Sequence, residues 1–257
     1  MTLAARIRRV QHRRLVRRLA GPRLLAAFAD CHSRPFFIEI GSNDGEQHDH
    51  LRPFILTRRW SGIMVEPVPY VFERLRRNYG SLPGVILERA AIADRDGEIP
   101  FYYLVDAPPE DRQRLPDWYD GIGSLSREAV LGHVKHIPDI ESRLICEPVT
   151  ALTFDSLCEK HGVAQVDLIV IDTEGYDWEL LQRINFATWH PELLIYEHFH
   201  LSPADRKLAA AAMRERGYST MEEHFDTFCL AHDADPRLRR TWERVRPALP
   251  GVSVHEE

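Results

Sequence analysis

The chain has 257 residues, 44% of them hydrophobic and 28% charged, which is enough for one globular domain with a full core. Its formal net charge of -6 argues against a broad phosphate-binding surface, so no nucleic-acid partner is expected, and no apolar stretch is long enough to span a membrane. The four cysteines show no C-x-x-C spacing, which favours a reducing, cytoplasmic location.

An arginine-rich segment opens the chain. Within residues 1–21, apolar residues recur at near-helical spacing among the arginines, and Gly21 and Pro22 are expected to end the helix. The arginines interrupt the apolar core that a secretory signal would need. We expect residues 1–34 to form a basic helical extension that packs on the domain or joins two copies of the chain into a homo-oligomer. Contact with an anionic membrane surface or with nucleic acid is the alternative for this segment.

From residue 35 onward, short apolar segments alternate with helical patterns. The predicted strands are FFIEI (36–40), SGIMVEP (61–67), GVILERAAIAD (84–94), VDLIVID (166–172) and ELLIYEH (192–198). Strands that are apolar on both faces and separated by helices form parallel sheets with helices on both sides. The sequence therefore predicts an α/β fold, a Rossmann-like doubly wound and mostly parallel sheet, closed by an antiparallel hairpin at residues 218–232. This domain is expected to span residues 35–233, followed by a C-terminal tail (234–257).

The segment 104–150 interrupts the alternation and is rich in proline and aspartate. The flanking sequences IPFYYL (99–104) and LICEPVTAL (144–152) can pair as extra strands. A connection of this length is usually either functional or disordered. Trp118, Tyr119 and two nearby glycines favour an ordered flap over the ligand crevice, and a solvated insertion is the alternative.

Polar residues stand at the carboxyl ends of several predicted strands. They are Gly41 after the first strand, Glu66 at the end of the second, Asp172 at the end of the fourth, and Glu197 with His198 at the end of the fifth. Ligands of doubly wound sheets bind beyond the strand ends, where the order of the strands reverses. We therefore expect the ligand site at this edge.

The loop after the first strand contains two glycines in the run Gly41-Ser42-Asn43-Asp44-Gly45, preceded by Glu39. Glycines let a backbone approach a ligand closely because no Cβ intervenes. The spacing lacks the G-x-G-x-x-G of a dinucleotide-binding loop. It resembles the first motif of class I S-adenosylmethionine-dependent methyltransferases, with Asn43 in place of a glycine, as is common in the FkbM family.

Three further segments resemble the FkbM family. They are VEP at the end of the second strand, AAIAD after the third, and VDLIVIDTEGYDWELL at the fourth, which matches the family signature IDvEGxE. With the loop, they cover about residues 35–200. The resemblance implies the class I methyltransferase fold and S-adenosylmethionine as the methyl donor.

The resemblance also implies roles for individual residues. Glu66, followed by Pro67, would bind the two ribose hydroxyls, because a carboxylate has two acceptor oxygens. Glu39 would orient the loop and the donor's ammonium group, Ala91 would leave room for adenine, and the start of the next helix would bind the donor's carboxylate. The predicted donor site is Glu39, Gly41, Ser42, Asn43, Asp44, Gly45, Glu66, Pro67, Ala91 and Asp172.

By the same resemblance, the reaction is O-methylation of a hydroxyl group on a small molecule, such as a sugar, a glycoside or a polyketide-like natural product. No Asn/Asp/Ser-Pro-Pro-aromatic segment follows the fourth strand, which argues against a nucleobase substrate. The competing hypotheses are a nucleotide-dependent oxidoreductase or epimerase, and a methyltransferase-like scaffold without turnover.

An alcohol needs a base to take its proton during methyl transfer. We expect Asp172 and His198 to be catalytic; if the fifth strand continues through residue 199, His200 shares a face with His198. A divalent metal site made by Asp172, Glu197 and a histidine is one alternative, although Mg²⁺ prefers an oxygen shell, and a structural role for the histidines is the other. The predicted substrate contacts are Glu174, Glu197, His200, Trp118 and Tyr119, with His48 and His50 as further candidates.

Overall fold

The computed structural model describes residues 19–47 and 49–245, so most of the predicted arginine-rich helix, His48 and residues 246–257 lie outside the described residues. The strands, in chain order, are β1 (Phe36–Ile40), β2 (Ser61–Val65), β3 (Val85–Glu88), β4 (Ala91–Ile92), β5 (Gly97–Leu104), β6 (Gly123–Ser124), β7 (Leu144–Leu152), β8 (Leu168–Ile171), β9 (Leu193–Glu197), β10 (Tyr218–Glu223) and β11 (Asp226–Ala231). The helices are α1 (Ala20–Cys31), α2 (Arg52–Arg58), α3 (Pro69–Tyr79), α4 (Pro109–Arg112), α5 (Arg127–Leu131), α6 (Ile140–Arg143), α7 (Phe154–Lys160), α8 (Asp177–Arg183), α9 (Pro203–Glu215) and α10 (Pro236–Val245). Short 3-10 segments cover Tyr119–Gly121 and Gly132–Lys135.

Within the described residues, the main sheet has seven strands in the order β10-β11-β9-β8-β1-β2-β3. Strands β9, β8, β1, β2 and β3 are parallel, and β11 pairs antiparallel with both β9 and β10. The chain fills the sheet from β1 toward β3 and then from β8 toward the other edge, so the strand order reverses between β1 and β8. The doubly wound sheet and the closing hairpin predicted from the sequence are confirmed.

The central strands are buried on both faces. All four residues of β8 and all five of β9 are buried, and so are the last four residues of β1. A strand of this kind needs cover on each side, which the helices between the strands supply. Full burial of one large aliphatic side chain contributes about 1.5–3 kcal/mol, so the sheet interior is the main stabilising element. Among the described residues, no helix is long and apolar enough to cross a membrane.

A second sheet has its strands in the order β4-β7-β5-β6. The expected pairing of IPFYYL with LICEPVTAL is present as the antiparallel ladder between β5 and β7. The prediction of one continuous third strand over 84–94 is wrong, because β3 ends at Glu88 and residues 91–92 pair with β7. Residues 91–92 pair instead with β7, which lies about 60 residues further along the chain, and Ala91 lies opposite Ala151 in this pairing. This pairing explains why the segment leaves the main sheet.

The insertion between β5 and β7 is ordered and has an apolar core of its own. Its buried residues are Leu104, Ala107, Tyr119, Ile122, Val130, Ile137 and Ile140. Asp120 binds Arg74 of α3 at 2.5 Å and Arg112 of α4 at 2.6 Å, which fastens the insertion to α3. Burial alone would raise the pKa of Asp120, but the two guanidinium groups hold it below its usual value.

The two ends of the described chain pack together as α1 and α10. The expectation that Gly21 and Pro22 end a helix is wrong, because they lie in the first turn of α1. The N–H groups of Ala20 and Gly21 donate to the carboxylate of Glu223 at 2.6 and 2.7 Å, which satisfies the start of this helix. Trp242 of α10 is buried, so the predicted extension and tail contribute to the domain core at least over residues 20–31 and 236–245.

Candidate active site

The loop after β1 closes against the end of β8 at Gly41. This residue has a φ of 81°, and a side chain would place its Cβ 1.7 Å from the carbonyl oxygen of Asp172. Gly45 has a φ of 68°, and its Cβ would lie 2.3 Å from the Tyr79 ring and 2.9 Å from Leu75. Packing within the protein is sufficient to require glycine at both positions, and the close approach of a ligand to them stays a prediction.

Side chains between the two glycines hold the loop in shape. The Ser42 hydroxyl donates to the carbonyl of Glu39 at 3.0 Å and accepts from the N–H of Val65 at 3.1 Å, so it joins β1 to β2. Asn43 has a left-handed φ of 48°, which asparagine tolerates, and its Oδ1 accepts the N–H of Asp44 at 2.7 Å. The loop is preorganised before any ligand binds.

Glu66 lies just past the end of β2, and protein N–H groups reach both of its carboxylate oxygens. Oε2 accepts the N–H of Asn43 at 3.0 Å, and Oε1 accepts the N–H of Val68 at 2.8 Å. Burial raises the pKa of Glu66 to about 7, although these two N–H groups act to lower it. Each carboxylate oxygen can accept more than one hydrogen bond, so Glu66 keeps acceptor capacity for hydroxyl groups.

Glu39 is a buried carboxylate without full compensation. It is 6% exposed, and among the described residues its Oε2 has no hydrogen-bond partner. Burial, followed by the charges of Asp49 and Asp172, raises the pKa of Glu39 well above its usual range. An unpaired buried acid is costly, and a cationic group at this position would relieve the cost.

Asp172 follows β8 directly and touches the glycine loop through its carbonyl oxygen. The residue is exposed to solvent, although many protein atoms surround its carboxyl group. Burial raises the pKa of Asp172 to about 6, and the charge of Asp226 adds to the rise, whereas His200 and His50 lower it. The carboxylate is therefore a stronger base than an ordinary aspartate.

The helix after the loop does not present free N–H groups in the way the sequence predicts. Helix α2 begins at Arg52, and the Oδ1 of Asp49 accepts the N–H groups of Leu51 and Arg52 at 2.5 and 2.9 Å. The Tyr79 hydroxyl donates to Asp49 Oδ2 at 2.9 Å. The first N–H groups of this helix are thus already satisfied, and the predicted contact with a donor carboxylate loses its basis.

Pro67 and Ala91 lie in different surroundings. Pro67 is half-buried and follows Glu66. Ala91 belongs to β4 and is buried in the apolar cluster of the second sheet with Val68 and Phe101. Packing is sufficient to explain this alanine, and its contact with adenine remains a prediction.

His198 is buried and bound to Thr227, which favours the structural alternative over the predicted role as a catalytic base. The side chain is 2% exposed, and its Nδ1 shares a hydrogen bond with Thr227 Oγ1 at 2.8 Å. Burial, together with Arg206, lowers the pKa of His198.

His200 instead meets the carboxylates at the strand ends. Strand β9 ends at Glu197, so His198 and His200 do not share a strand face. The His200 Nδ1 lies 2.9 Å from Glu197 Oε2 and 3.1 Å from Glu174 Oε2. Burial raises the pKa of both Glu174 and Glu197 well above the usual range, and neighbouring carboxylates add to the rise.

His133 of the insertion joins this group. Its Nε2 lies 4.0 Å from Glu174 Oε2, and its ring centre is 5.2 Å from that of His200. Burial lowers the pKa of His133 to about 4, and the nearby His200 and His136 contribute. Its imidazole is therefore neutral near pH 7, with a lone pair on one nitrogen.

The two aromatic residues predicted to contact substrate differ in position. Tyr119 is buried in the core of the insertion, where its hydroxyl donates to the carbonyl of Val105 at 2.9 Å, so it has no access to a ligand. The half-buried Trp118 packs against His133, with ring centres 5.1 Å apart. Only Trp118 stands beside the acidic group.

The insertion also contacts the loops after β1 and β8. A Cβ on Gly121 would lie 3.2 Å from the Asn43 side chain, and the Ser124 hydroxyl donates to the carbonyl of Glu174 at 2.8 Å. The insertion thus contacts the loops after both β1 and β8, on either side of the point where the strand order reverses. This placement favours a flap over a solvated insertion.

Several residues of the site are absent from the sequence prediction. An aspartate shortly before a helix start with proline is a known capping signal, so Asp49 could have been found from the pattern. Asp226, which lies 3.3 Å from the predicted candidate His50, sits in a hairpin whose register the sequence leaves open. His133 lies in a segment without periodicity, and no sequence signal marks it.

The fold and the site together define the class of protein. The sheet is doubly wound, a glycine loop follows β1, and carboxylates gather where the strand order reverses, which is the arrangement of α/β proteins that bind a nucleoside-containing ligand at this edge. A family model described as Methyltransferase FkbM domain matches residues 39–220. The chain belongs to this family, as its resemblance in the glycine loop and after β8 implied.

Two curated proteins are among the relatives. The 2-O-methyltransferase NoeI of Sinorhizobium fredii is 27% identical over 150 residues, which cover 57% of this chain and 56% of NoeI, so the chain matches little more than half of that protein. Methyltransferase sdnD of Sordaria araneosa is 23% identical over 190 residues, covering 63% of this chain and 70% of sdnD. Among solved structures, methyltransferase FkbM from Methylobacillus flagellatus has a TM-score of 0.48 at 12% identity, with coverage of 77% of this chain and 44% of that chain.

Proposed function

We propose that this chain transfers a methyl group from S-adenosylmethionine to a hydroxyl group of a small molecule, in the class of sugars, glycosides and polyketide-like natural products. One observation carries the proposal: Glu39, Glu66 and Asp172 stand at the carboxyl ends of the neighbouring strands β1, β2 and β8, around one preorganised glycine loop. The family and the relative named as a 2-O-methyltransferase support it.

The residues of this edge fit the donor. S-adenosylmethionine supplies a methyl group on a positively charged sulfonium and also carries an ammonium group, and the product lacks the sulfonium charge. The unpartnered Oε2 of buried Glu39 and the raised pKa of Asp172 both show uncompensated negative potential here. A positive ligand relieves this potential, and Glu66 has the two oxygens that a pair of ribose hydroxyls requires.

Asp172 is the group that takes the acceptor's proton in this proposal. It is accessible, and with a pKa of about 6 it is mostly ionised at neutral pH. The insertion supplies the opposite wall of the crevice and would exclude water from the reacting groups, since most of the rate in such a displacement comes from alignment. A positioned base adds typically about 10²–10⁴-fold.

The same carboxylates disfavour the oxidoreductase and epimerase alternative. A dinucleotide brings a diphosphate to the loop after β1, where Glu39 and Asp172 would repel it. A methyltransferase-like scaffold without turnover remains the second candidate, because a donor site alone does not require catalysis. The four cysteines are unpaired, which agrees with a reducing, cytoplasmic location.

Calorimetric titration with S-adenosylhomocysteine tests the donor site. We expect micromolar affinity for the wild type and a loss of roughly 1.5–3 kcal/mol in Glu66→Ala, the scale for hydrogen bonds to a charged group. Glu88→Ala is the matched control, because Glu88 is also a buried acid at the end of a neighbouring strand but binds Lys160 and His161 instead.

Equal affinity in wild type and Glu66→Ala would remove Glu66 from the site. Absence of any binding to the wild type, together with nicotinamide absorbance retained by the purified protein, would favour the oxidoreductase. Donor binding without methylation of any hydroxyl acceptor in a panel of sugars and polyketides would favour the scaffold.

A further inference from the structure

Two imidazoles and one carboxylate converge beneath the insertion. They come from three separate parts of the chain: His133 from the 3-10 segment Gly132–Lys135, Glu174 from the loop after β8, and His200 from the turn after β9. One nitrogen of each imidazole and one oxygen of Glu174 all lie within 4.8 Å of one another. Three atoms bound tetrahedrally to one metal ion at about 2.0–2.2 Å lie about 3.3–3.6 Å from one another, so a small closure of this group is enough to hold an ion.

Two atoms of this group have incomplete polar contacts. Among the described residues, the buried His200 Nε2 has no hydrogen-bond partner, and the buried Glu174 Oε2 forms no hydrogen bond beyond its ion-pair contact with His200 Nδ1 at 3.1 Å. Leaving a buried polar atom unsatisfied is costly, so native proteins rarely keep such atoms without a function. We propose that His133, Glu174 and His200 form a binding site for a divalent first-row metal ion, with Zn²⁺ as the expected ion.

Neighbouring residues hold two of the three proposed ligands, His200 and Glu174, in place. Glu197 Oε2 lies 2.9 Å from His200 Nδ1, and a carboxylate behind a ligating histidine fixes its ring orientation. Glu174 has a left-handed φ of 51°, and its carbonyl accepts the hydroxyl of the buried Ser124. A non-glycine residue held in this conformation by a neighbouring element is typical of functional loops.

The ligand set selects the kind of ion. Two nitrogens and one oxygen suit Zn²⁺ and neighbouring first-row ions, whereas Mg²⁺ prefers oxygen ligands with several waters. This set differs from the one considered from the sequence, because His133 takes part and Asp172 does not. Three protein ligands leave at least one coordination position open to water or to another oxygen.

Because the ligands lie on the insertion and on two strand ends, the ion also joins the insertion to the main sheet. Contacts that also join them in this region include the Ser124 hydrogen bond and the ring contact between His133 and His200. A bound ion stabilises the folded chain by mass action, in proportion to the logarithm of its concentration over its dissociation constant.

Metal binding is measured on the full chain after treatment with a chelator and dialysis. Titration with ZnCl₂ should show one ion per chain by calorimetry and by elemental analysis, and the melting temperature should rise with added ZnCl₂. Glu197→Gln should weaken binding by roughly 10–100-fold, the scale for a residue that orients a ligand. His133→Ala and Glu174→Gln should weaken it more strongly and should lose the thermal shift.

His136→Ala is the matched control, since His136 is exposed, lies three residues from His133 and also packs near Trp118, yet is not part of the group. It should bind ZnCl₂ like the wild type. The proposal is overturned if no stoichiometric binding occurs, if His133→Ala and Glu174→Gln both bind as tightly as the wild type, or if MgCl₂ binds more tightly than ZnCl₂. These titrations contain neither donor nor acceptor, so their failure leaves the proposed methyl transfer untouched.

Discussion

Asp172 combines access with a raised pKa, which few other acids of the chain do. Its neighbours Glu39 and Glu66 are each 6% exposed, whereas the Asp172 side chain is open to the crevice. A base must reach the proton that it removes, and its pKa should be close to the working pH. Asp172 meets both conditions, so we assign the proton transfer to it in preference to the buried acids.

Replacement of this carboxylate tests the assignment. Asp172→Asn should keep a folded structure and lower the turnover number by about 10²–10⁴-fold, because the amide cannot accept the proton. The wild-type rate should rise with pH through about 6 and level off above it, because only the ionised carboxylate is active. Steady-state kinetics with a soluble acceptor across pH 5 to about 9 measure both effects.

His198→Ala is the control for this experiment. Since His198 is buried against Thr227, its removal should lower the free energy of unfolding by about 1–3 kcal/mol and leave turnover nearly unchanged while the protein stays folded. A large loss of turnover in His198→Ala, with Asp172→Asn fully active, would reverse the assignment.

At the level of elements, the contact between the first loop and the end of β8 joins the two parts of the site that we propose for the donor and for the acceptor. The carbonyl oxygen of Asp172 occupies the position that a Cβ on Gly41 would take. Any side chain there must therefore push β1 and β8 apart at this point. The strands on either side are fixed by their ladder from Phe37–Leu168 to Ile40–Ile171. The loop has no room to absorb the change.

Gly41→Ala should therefore reduce both stability and affinity for S-adenosylhomocysteine. Gly97→Ala is the matched comparison, because Gly97 also has a positive φ, 124°, but no atom lies within 4 Å of its added Cβ. The control should lose only the cost of backbone strain, about 1–3 kcal/mol, with unchanged affinity. Thermal melts and calorimetry of the two variants decide the point, and equal affinity losses would show that the close contact is unimportant.

Local patterns were enough to predict the elements of the main sheet. FFIEI has the same bounds as β1, and the segments for β8 and β9 are correct within two residues, because their apolar runs are interrupted only where the chain leaves the core. The prediction fails where a distant partner decides the outcome. Residues 91–92 join β7, and α1 begins at Ala20 because Glu223, about 200 residues away, accepts its first N–H groups.

In the candidate site, too, local patterns predict some residues, whereas distant contacts decide the positions of others. Glu39, Glu66 and Asp172 could be found from strand ends alone, since the carboxyl ends of parallel strands meet at one edge. The directions of His198 and His200 could not, because they depend on β9 ending at Glu197. His133 could not be found either, since its position results from the packing of the insertion.

Across the whole molecule, the edge of the sheet concentrates acids that resist ionisation. The pKa values of Glu39, Glu66, Asp172, Glu174 and Glu197 are all raised, with burial as the largest cause in each case. Such groups favour the folded state below their unfolded pKa and lose that contribution as the pH rises through the folded value. The protein without ligands thus carries a stability cost near neutral pH at its own site.

Glu66→Gln removes one ionisable group and with it one part of this stability cost. The folded pKa of Glu66, about 7, lies above its ordinary 4.5, so ionisation at higher pH opposes folding by about 3 kcal/mol. Relative to the wild type, the variant should gain stability as the pH rises from about 4.5 to about 8, even though it binds the donor more weakly. Chemical denaturation of both proteins at several pH values measures this difference, and a constant difference across the range would contradict it.

The antiparallel stem of the insertion has a consequence for how such a protein can diversify. Leu104 and Leu144 face each other at the end of the β5–β7 ladder, so the segment between them leaves and re-enters the domain at points about 5 Å apart. It also carries its own apolar core. Recombination at these two points can exchange residues 105–143 as one segment, and a replacement that keeps a partner for Arg74 would leave the loop after β1 and its hydrogen bond to Glu66 in place.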